Sequence, residues 1–344
     1  MEGEEQMRRA TIADIARAAG VSKGAVSYAL NGRPGVSDST RQRILKIAAE
    51  FGWHPSSAAR ALSDGRAGVL GLIVDRPART LGIESFFMQL ISGIEATLSA
   101  ASVGLLLQVT EDRAGEMDAY RRWWGQRQVD GVILVDLQRD DPRVGLLEEL
   151  RMPAVVVGGP HGLGSLPGVW SDEATATRSV VEYLSALGHR QIARVAGLPQ
   201  LWHTEIRTQV LRDAVAQLNI ADVTTINTDY SGEQGAQATR TLLARRPAPT
   251  AIIYDNDVMA VAGVAVAHEM GVRVPTQLSI VAWDDSALCQ LVHPQLSAVS
   301  RDIAAYGGHA AQRLLDIIAG NPAGNYEDTT PRLVPRGSTA PPPR

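Results

Sequence analysis

The sequence predicts an α/β protein: an amino-terminal three-helix helix-turn-helix head, then a two-lobed core of parallel sheets with helices on both faces. Three observations predict it. Before residue 69, apolar residues recur at helical spacing in three short stretches, each preceded by a capping serine or threonine. From Val69, short apolar runs bounded by turn residues alternate with amphipathic stretches, the pattern of parallel strands joined by crossover helices. At least eight such runs follow, more than one open sheet of ordinary size holds, so the core divides into two lobes.

The head occupies residues 7–54. Thr11 caps a first helix to about Ala18, with Asp14 at its positive end and Ala16 small enough for close helix contact. Gly20 takes the left-handed conformation that turns the chain. Ser22 caps a second helix to about Leu30: Val26, Ala29 and Leu30 face inward, and Lys23, Gly24, Ser27 and Tyr28 face out. NGRPG at 31–35 is a loop by composition. Ser37 caps a third helix with Ile44, Ile47, Ala48 and Phe51 on its apolar face and Gly52 after its end. The set is a helix-turn-helix unit. The next stretch, to Gly68, is polar and alanine-rich. It allows about two helical turns at 56–62 with little apolar surface to hold them, and residues 55–68 read as a hinge.

In the core the predicted strands are VLGLIVD at 69–75, VGLLLQV at 103–109, DGVILVD at 130–136, PAVVVGG at 153–159, IARVAG at 192–197, VTTIN at 223–227, TAIIYDN at 250–256 and LSIVAWDD at 278–285. Such sheets bind ligands beyond the carboxyl ends of their strands, where Asp75, Asp136, Asn256, Asp257 and Asp284 fall.

Charge is unevenly divided. The chain has a formal net charge of −4, yet residues 7–66 carry ten basic and four acidic side chains. A basic head on an acidic body is the asymmetry expected when the head alone meets a polyanion. Cys289 is the one cysteine, so no internal disulfide forms and a reducing cytoplasm fits. No run approaches the ~18 apolar residues of a membrane span, and the acidic, polar start is not a signal peptide. Enzyme, cofactor and metal motifs are missing. GLGSLPG at 162–168 has Pro167 in place of the third glycine of a dinucleotide fingerprint, there is no P-loop and no G-x-S-x-G, and His268-Glu269 lacks a second histidine at zincin spacing.

VSKGAVSYALNGRPGVSDSTRQRI, the GWHPSSAARAL hinge, LSALGHRQIARVAG at 184–197, AIIYDNDVMAVAG at 251–263 and LSIVAWDDSALCQLVHPQLSAVS at 278–300 together resemble the LacI/GalR family of bacterial transcription repressors, in family order from Thr11 to Pro342. LVPRGS at 333–338 has the letters of an engineered protease site, but LVPRGSTAPPP also resembles native tails of the family. The resemblance implies a homodimer with a DNA-binding head, a hinge helix and a core like periplasmic sugar-binding proteins. One lobe is expected over about 69–165 and 302–322, the other over about 169–299 and 325–340. The leucine heptads that make some members tetramers are absent, and the sequence ends in PPPR.

By the same resemblance, the second helix enters the major groove of a near-palindromic operator. Lys23 is suited to guanine O6 and N7, and Tyr28, where many members carry arginine, to a base or phosphate. Ser22, Ser27 and Asn31 fall to phosphates, with Thr11 and Gly24 also on the DNA side. In the hinge, Ala59 and Leu62 match a minor-groove wedge, and Ser56 stands where an asparagine is usual. In the core, Arg207 matches a ligand-clamping arginine, although the usual glycine three residues on is Val210. Asn256 and Asp284 match partners of sugar hydroxyls, Phe87 and Tyr230 match cleft aromatics, and Asp75 lies where it also lines the cleft. Trp202 and Trp283 are looser candidates. Each has a plain structural alternative: a solvated helix face for the head, a linker for the hinge, helix capping for Asn256, Asp284 and Asp257, a surface arginine for Arg207, and packing for the tryptophans. The implied partners are double-stranded DNA and a small effector, a mono- or oligosaccharide with a purine as the alternative, with no cofactor, metal or membrane. A sugar transport receptor or an enzyme with an incidental head are the competing readings. The basic head and the missing signal peptide argue against the receptor.

Overall fold

The computed structural model describes residues 10–53, 65–76, 81–110, 112–218 and 220–343. It divides into two compact units, one up to Ala67 and one from Gly68.

The first unit has three helices: α1 (Ile12–Ala19), α2 (Lys23–Leu30) and α3 (Asp38–Glu50). Thr11 and Asp14 form a reciprocal capping box on α1, and Gly20 ends that helix at φ +64°. Ser22 and Ser37 cap α2 and α3 through their hydroxyls. Ile15, Ala16, Ala19, Val26, Ala29, Ile44 and Ala48 form the core. Small alanines on all three helices allow their close approach. Phe51, expected inside, is 45% exposed because α3 ends at Glu50 and Phe51 is its C-cap.

The second unit has two six-stranded sheets. In chain order the elements are β1 (Val69–Asp75), α4 (Ser85–Ala100), β2 (Gly104–Thr110), α5 (Arg113–Gly125), β3 (Gly131–Leu134), α6 (Pro142–Leu150), β4 (Ala154–Val157), β5 (Gly168–Trp170), α7 (Glu173–Ala186), β6 (Gln191–Ala196), α8 (Trp202–Gln217), β7 (Asp222–Asn227), α9 (Gly232–Leu243), β8 (Ala251–Tyr254), α10 (Asp257–Glu269), β9 (Ser279–Trp283), α11 (Ala287–Leu291), β10 (Ser297–Ser300), α12 (Ile303–Ala319), β11 (Tyr326–Glu327) and β12 (Arg332–Val334). The first sheet has the order β11-β5-β4-β3-β1-β2 and the second β12-β10-β9-β8-β6-β7. All pairings are parallel except β10 with β12. Four-residue strands such as GVIL and AIIY are buried throughout, because helices cover both faces.

The division into lobes shifts from the expected one. β5 and β11 both belong to the first sheet, so the first lobe runs on to Trp170, past its expected end near 165, and the chain re-enters the second lobe after Glu327, where about 325 was expected. α12 packs on α4 with backbones in contact. A Cβ on Gly93 would sit 1.7 Å from the Ala304 carbonyl oxygen, so only glycine fits. The LVPRGS tail is built into the second lobe. Ser338 is fully buried, its Oγ accepts from Ser297 N at 2.8 Å and donates to the Ile280 carbonyl at 2.6 Å, and Ile280 N donates to its carbonyl at 2.9 Å.

Candidate functional site

A cavity lies between the two sheets of the second unit, and its polar lining sits just beyond strand carboxyl ends: Arg76 after β1, Asp136 after β3, Ser171 after β5, Asp255 after β8, Asp284 after β9 and Arg301 after β10. This is the geometry the sheet topology predicts. Asp136, Tyr230 and Asp284 have left-handed backbones, with φ of +54°, +68° and +63°. Non-glycine residues in that region cost about 1 kcal/mol or more each, and such strain gathers at functional sites.

Three guanidinium groups organise the lining. Arg76 Nη2 is 2.7 Å from Asp136 Oδ2 and its Nε is 3.6 Å from Glu84 Oε2. Its charge lies 5.6 Å from the Phe87 ring centroid and 5.3 Å from that of Tyr230. Arg207 donates to Glu173 Oε2 through Nε and Nη2 at 2.9 and 2.8 Å, approaches Asp255 at 3.6 Å, and stacks 4.0 Å over Trp283. Arg301 donates to Glu173 Oε1 at 3.1 Å and lies 3.6 Å from Asp284 Oδ1. Burial alone would raise Asp255, but Arg194 and Arg207 bring it down to about 2. Burial, opposed by Arg76 and reinforced by Asp136 and Asp284, lifts Glu84 to about 8. Burial, opposed by Arg301 and Arg207, lifts Asp284 to about 6. His203 is pushed down to about 4 by burial and Arg207, so it is neutral, and its Nε2 shares a 2.7 Å hydrogen bond with Tyr230 OH. A glycine at 197 makes room for that tyrosine, since a Cβ there would lie 1.8 Å from the ring.

The cavity gathers five of the six sequence-predicted ligand residues: Phe87, Arg207, Tyr230, Asn256 and Asp284. Asp75 is not among the lining residues; its carboxylate is turned to Arg113 at 3.9 Å. Asn256 also caps α10, accepting from Met259 N at 2.8 Å and donating to the Tyr230 carbonyl at 3.0 Å. Asp257 accepts the Ser85 hydroxyl at 2.8 Å and is not in the lining. Trp202 lines the cavity, whereas Trp283 stands behind Arg207. Sequence reasoning missed Arg76, Glu84, Glu173, His203 and Arg301. The strand-end rule, applied to Arg76 after β1, would have found one of them; Arg301 follows β10, which was not among the predicted strands.

In the first unit, Lys23, Gly24 and Tyr28 are exposed on α2 and Ser27 is half-buried. Ser22 Oγ accepts from Ala25 N at 3.1 Å, and Asn31 donates to Ser27 Oγ at 3.4 Å. Thr11 is exposed in its capping box. Arg41 donates to the Arg33 carbonyl at 2.7 Å, which ties α3 to the loop after α2. Ser56, Ala59 and Leu62 lie outside the described residues.

A helix-turn-helix unit followed by a two-sheet core with a polar cavity is the architecture of a DNA-binding regulator. Residues 11–56 match the family described as bacterial regulatory proteins, lacI family, and residues 181–339 match the periplasmic binding protein-like domain. The chain is 31% identical over 321 residues to the HTH-type transcriptional regulator CelR of Thermobifida fusca, covering 92% of this chain and 94% of CelR. It is 29% identical over 309 residues to catabolite control protein A of Priestia megaterium, covering 89% and 91%. The lac repressor dimer bound to operator and the anti-inducer ONPF superposes with a TM-score of 0.86 at 25% identity, over 97% of this chain and all of that one. The CelR–cellobiose complex gives 0.72 at 28%, over 96% and 100%. The chain belongs to the lacI family and is a DNA-binding transcriptional repressor. No helix among the described residues is long and apolar enough to cross a membrane.

Proposed function

We propose that this repressor works in the cytoplasm as a homodimer on a near-palindromic operator, that a sugar bound in the interlobe cavity controls its operator affinity, and that it catalyses no reaction. The observation that carries the reading is the lining itself. Buried charged groups at strand ends stand among aromatic rings, and the buried Glu84 Oε2, Asp284 Oδ1, Arg301 Nε and Trp202 Nε1 have no hydrogen-bond partner among the described residues. Such groups are costly unless something supplies their partners. A polyhydroxylated ring offers donors and acceptors around its edge and apolar faces to the rings. The cellobiose in the CelR complex supports a sugar.

In this reading Lys23 and Tyr28 touch bases, Thr11, Ser22, Gly24, Ser27 and Asn31 face the backbone, and Ser56, Ala59 and Leu62 form the paired hinge. Phe87, Arg207, Tyr230, Asn256 and Asp284 hold the sugar. Asp75 supports Arg113 from outside the cavity. Ligand changes the relation between the lobes and so whether two hinges can pair. The coupling is reciprocal, so a ligand that weakens operator binding is itself bound less well on DNA. A gel shift against genomic fragments, repeated with each sugar that raises the melting temperature, tests the whole reading. A discrete operator whose affinity moves with one sugar is the expected result. Uniform binding of all fragments, or a sugar that stabilises the protein without moving the operator affinity, would remove it.

A further inference from the structure

The cavity has more buried acid than buried base. Glu84, Asp136, Glu173, Asp255 and Asp284 line it against Arg76, Arg207 and Arg301. Arg194, which grips Asp255 from behind with Nε at 2.8 Å, raises the bases only to four against five. The partners are also unequally shared. Asp255 is held by Arg194, Glu173 by Arg207 and Arg301, and Asp136 by Arg76. Among the described residues, Glu84 and Asp284 receive only the two 3.6 Å ion-pair contacts, too long for hydrogen bonds, and each keeps a buried oxygen without a hydrogen-bond partner there. Both residues are more than nine-tenths buried.

We propose that the effector is a sugar bearing an ammonium group, an amino sugar, with Glu84 and Asp284 as its counter-ions, and that sugars bearing carboxylate or phosphate are rejected. This rests on the cavity being the sugar site. A buried carboxylate without a counter-charge is costly. An ammonium is a compact charge with three donors, able to serve two carboxylate oxygens at once. A hydroxyl donates one hydrogen bond and leaves the surplus charge in place. An added anion would enlarge the surplus. Where no ammonium is bound, a proton on Glu84 supplies the missing positive charge, in keeping with its rise to about 8 among Arg76, Asp136, Asp284 and Asp257. An incoming ammonium takes over that role, and the proton leaves to solvent.

The test is isothermal titration of the full-length protein near neutral pH, in two buffers of different ionisation enthalpy. The probes are matched pairs: glucosamine and glucose, galactosamine and galactose, the glucosamine disaccharide and cellobiose, with glucuronate as the anion. The amino member of the pair that binds should bind about tenfold tighter or more than its hydroxyl counterpart, and protons should be released on binding. Glu84→Gln should shrink the preference to about threefold or less and abolish the release, with operator binding in the absence of sugar serving as the check that it folds. Asp284→Asn should reduce the preference in the same direction. A hydroxyl sugar that binds as tightly and moves operator affinity would overturn the proposal and leave the sugar-effector reading standing. Tighter binding of glucuronate, or an intact preference in Glu84→Gln, would also overturn it. If no pair binds, the amino-sugar proposal falls, while the sugar-effector reading stands or falls by the melting-temperature screen.

Discussion

The Ser85 hydroxyl donates a 2.8 Å hydrogen bond to Asp257 Oδ2, joining the first residue of α4 in one lobe to the first residue of α10 in the other. Nearby the loops after β3 and β6 meet as well: Trp202 N donates to the Leu137 carbonyl at 3.0 Å, and Gln138 bridges Leu201. The lobes are therefore in contact at two places around the cavity. Both contacts must break if the lobes part to admit a ligand.

Ser85→Ala tests whether this closed arrangement is the one that holds ligand. The mutation removes a hydrogen bond to a buried carboxylate, worth about 1.5–3 kcal/mol where the acceptor is charged. Effector affinity should fall by roughly tenfold while the helix-turn-helix unit and its operator contacts stay unaltered. Titration of effector into the variant measures this. Unchanged or tighter binding would mean that the contact opposes ligand entry.

The two acidic and basic candidates in the clamp should separate structure from ligand contact. Arg207 holds Glu173, lies near Asp255 and covers Trp283, so Arg207→Ala strands buried charges and should cost about 3–5 kcal/mol of stability. Asp284→Asn keeps shape and capacity to accept. It should leave the melting temperature nearly unchanged and abolish the effector's action on operator binding. A thermal melt beside an operator titration with and without effector distinguishes the two. A normal effector response in Asp284→Asn would remove it from the ligand site.

Glu84 also sets a pH dependence with a definite sign. Its folded pKa, about 8, lies above its ordinary value of 4.5, so the folded state holds a proton that the unfolded state releases. Its contribution to stability is present in full below about pH 4.5 and is lost as pH rises through about 8. The steepest loss is about 1.4 kcal/mol per pH unit for one group. Urea titrations between pH 6 and 8.5 should show falling stability, and Glu84→Gln should flatten the slope. Asp255, held down near 2, acts oppositely and only at acid pH, so it does not interfere in that window.

Most of the strands that carry these groups were legible because each is an apolar run next to a turn residue. β5, β10, β11 and β12 were not, since SAVS in β10 is no apolar run and strands of two and three residues have no periodicity to read. The lobe boundary moved for the same reason. In the site, residues at strand ends could be named from position alone. Glu84 and Glu173 could not, because their roles depend on Arg76, Arg207 and Arg301, and Arg301 is separated from Glu173 by 128 residues. Asn256 shows the converse: its helix cap and its place in the cavity coexist, so neither of the two readings excluded the other.

On the head, Lys23→Ala and Tyr28→Ala should relax sequence preference at particular operator positions, by ~1–3 kcal/mol for a good base contact. Arg41→Ala should lower affinity on all sequences and reduce the salt slope. Binding to a set of single-base operator variants at one salt concentration measures the first, and a salt series the second. Unchanged position-by-position preference in Lys23→Ala and Tyr28→Ala would take both residues out of base readout.

Leu62 tests the link between the two units. A leucine driven into a base step leaves water but must unstack the step, at a cost of a few kcal/mol. That cost is offset only where two hinges pair at the centre of a correctly spaced operator. Leu62→Ser should therefore weaken operator binding strongly and barely change binding to a scrambled duplex, where phosphate contacts dominate. DNA bending should fall with it, and so should the effector's action, if hinge pairing is the step that the effector controls, as proposed above. Fluorescence anisotropy with both duplexes at one fixed salt concentration measures the ratio. Equal losses on both would mean that Leu62 only stabilises the head. An unchanged ratio with an intact effector response would mean that the cavity reaches DNA by a route other than a wedge.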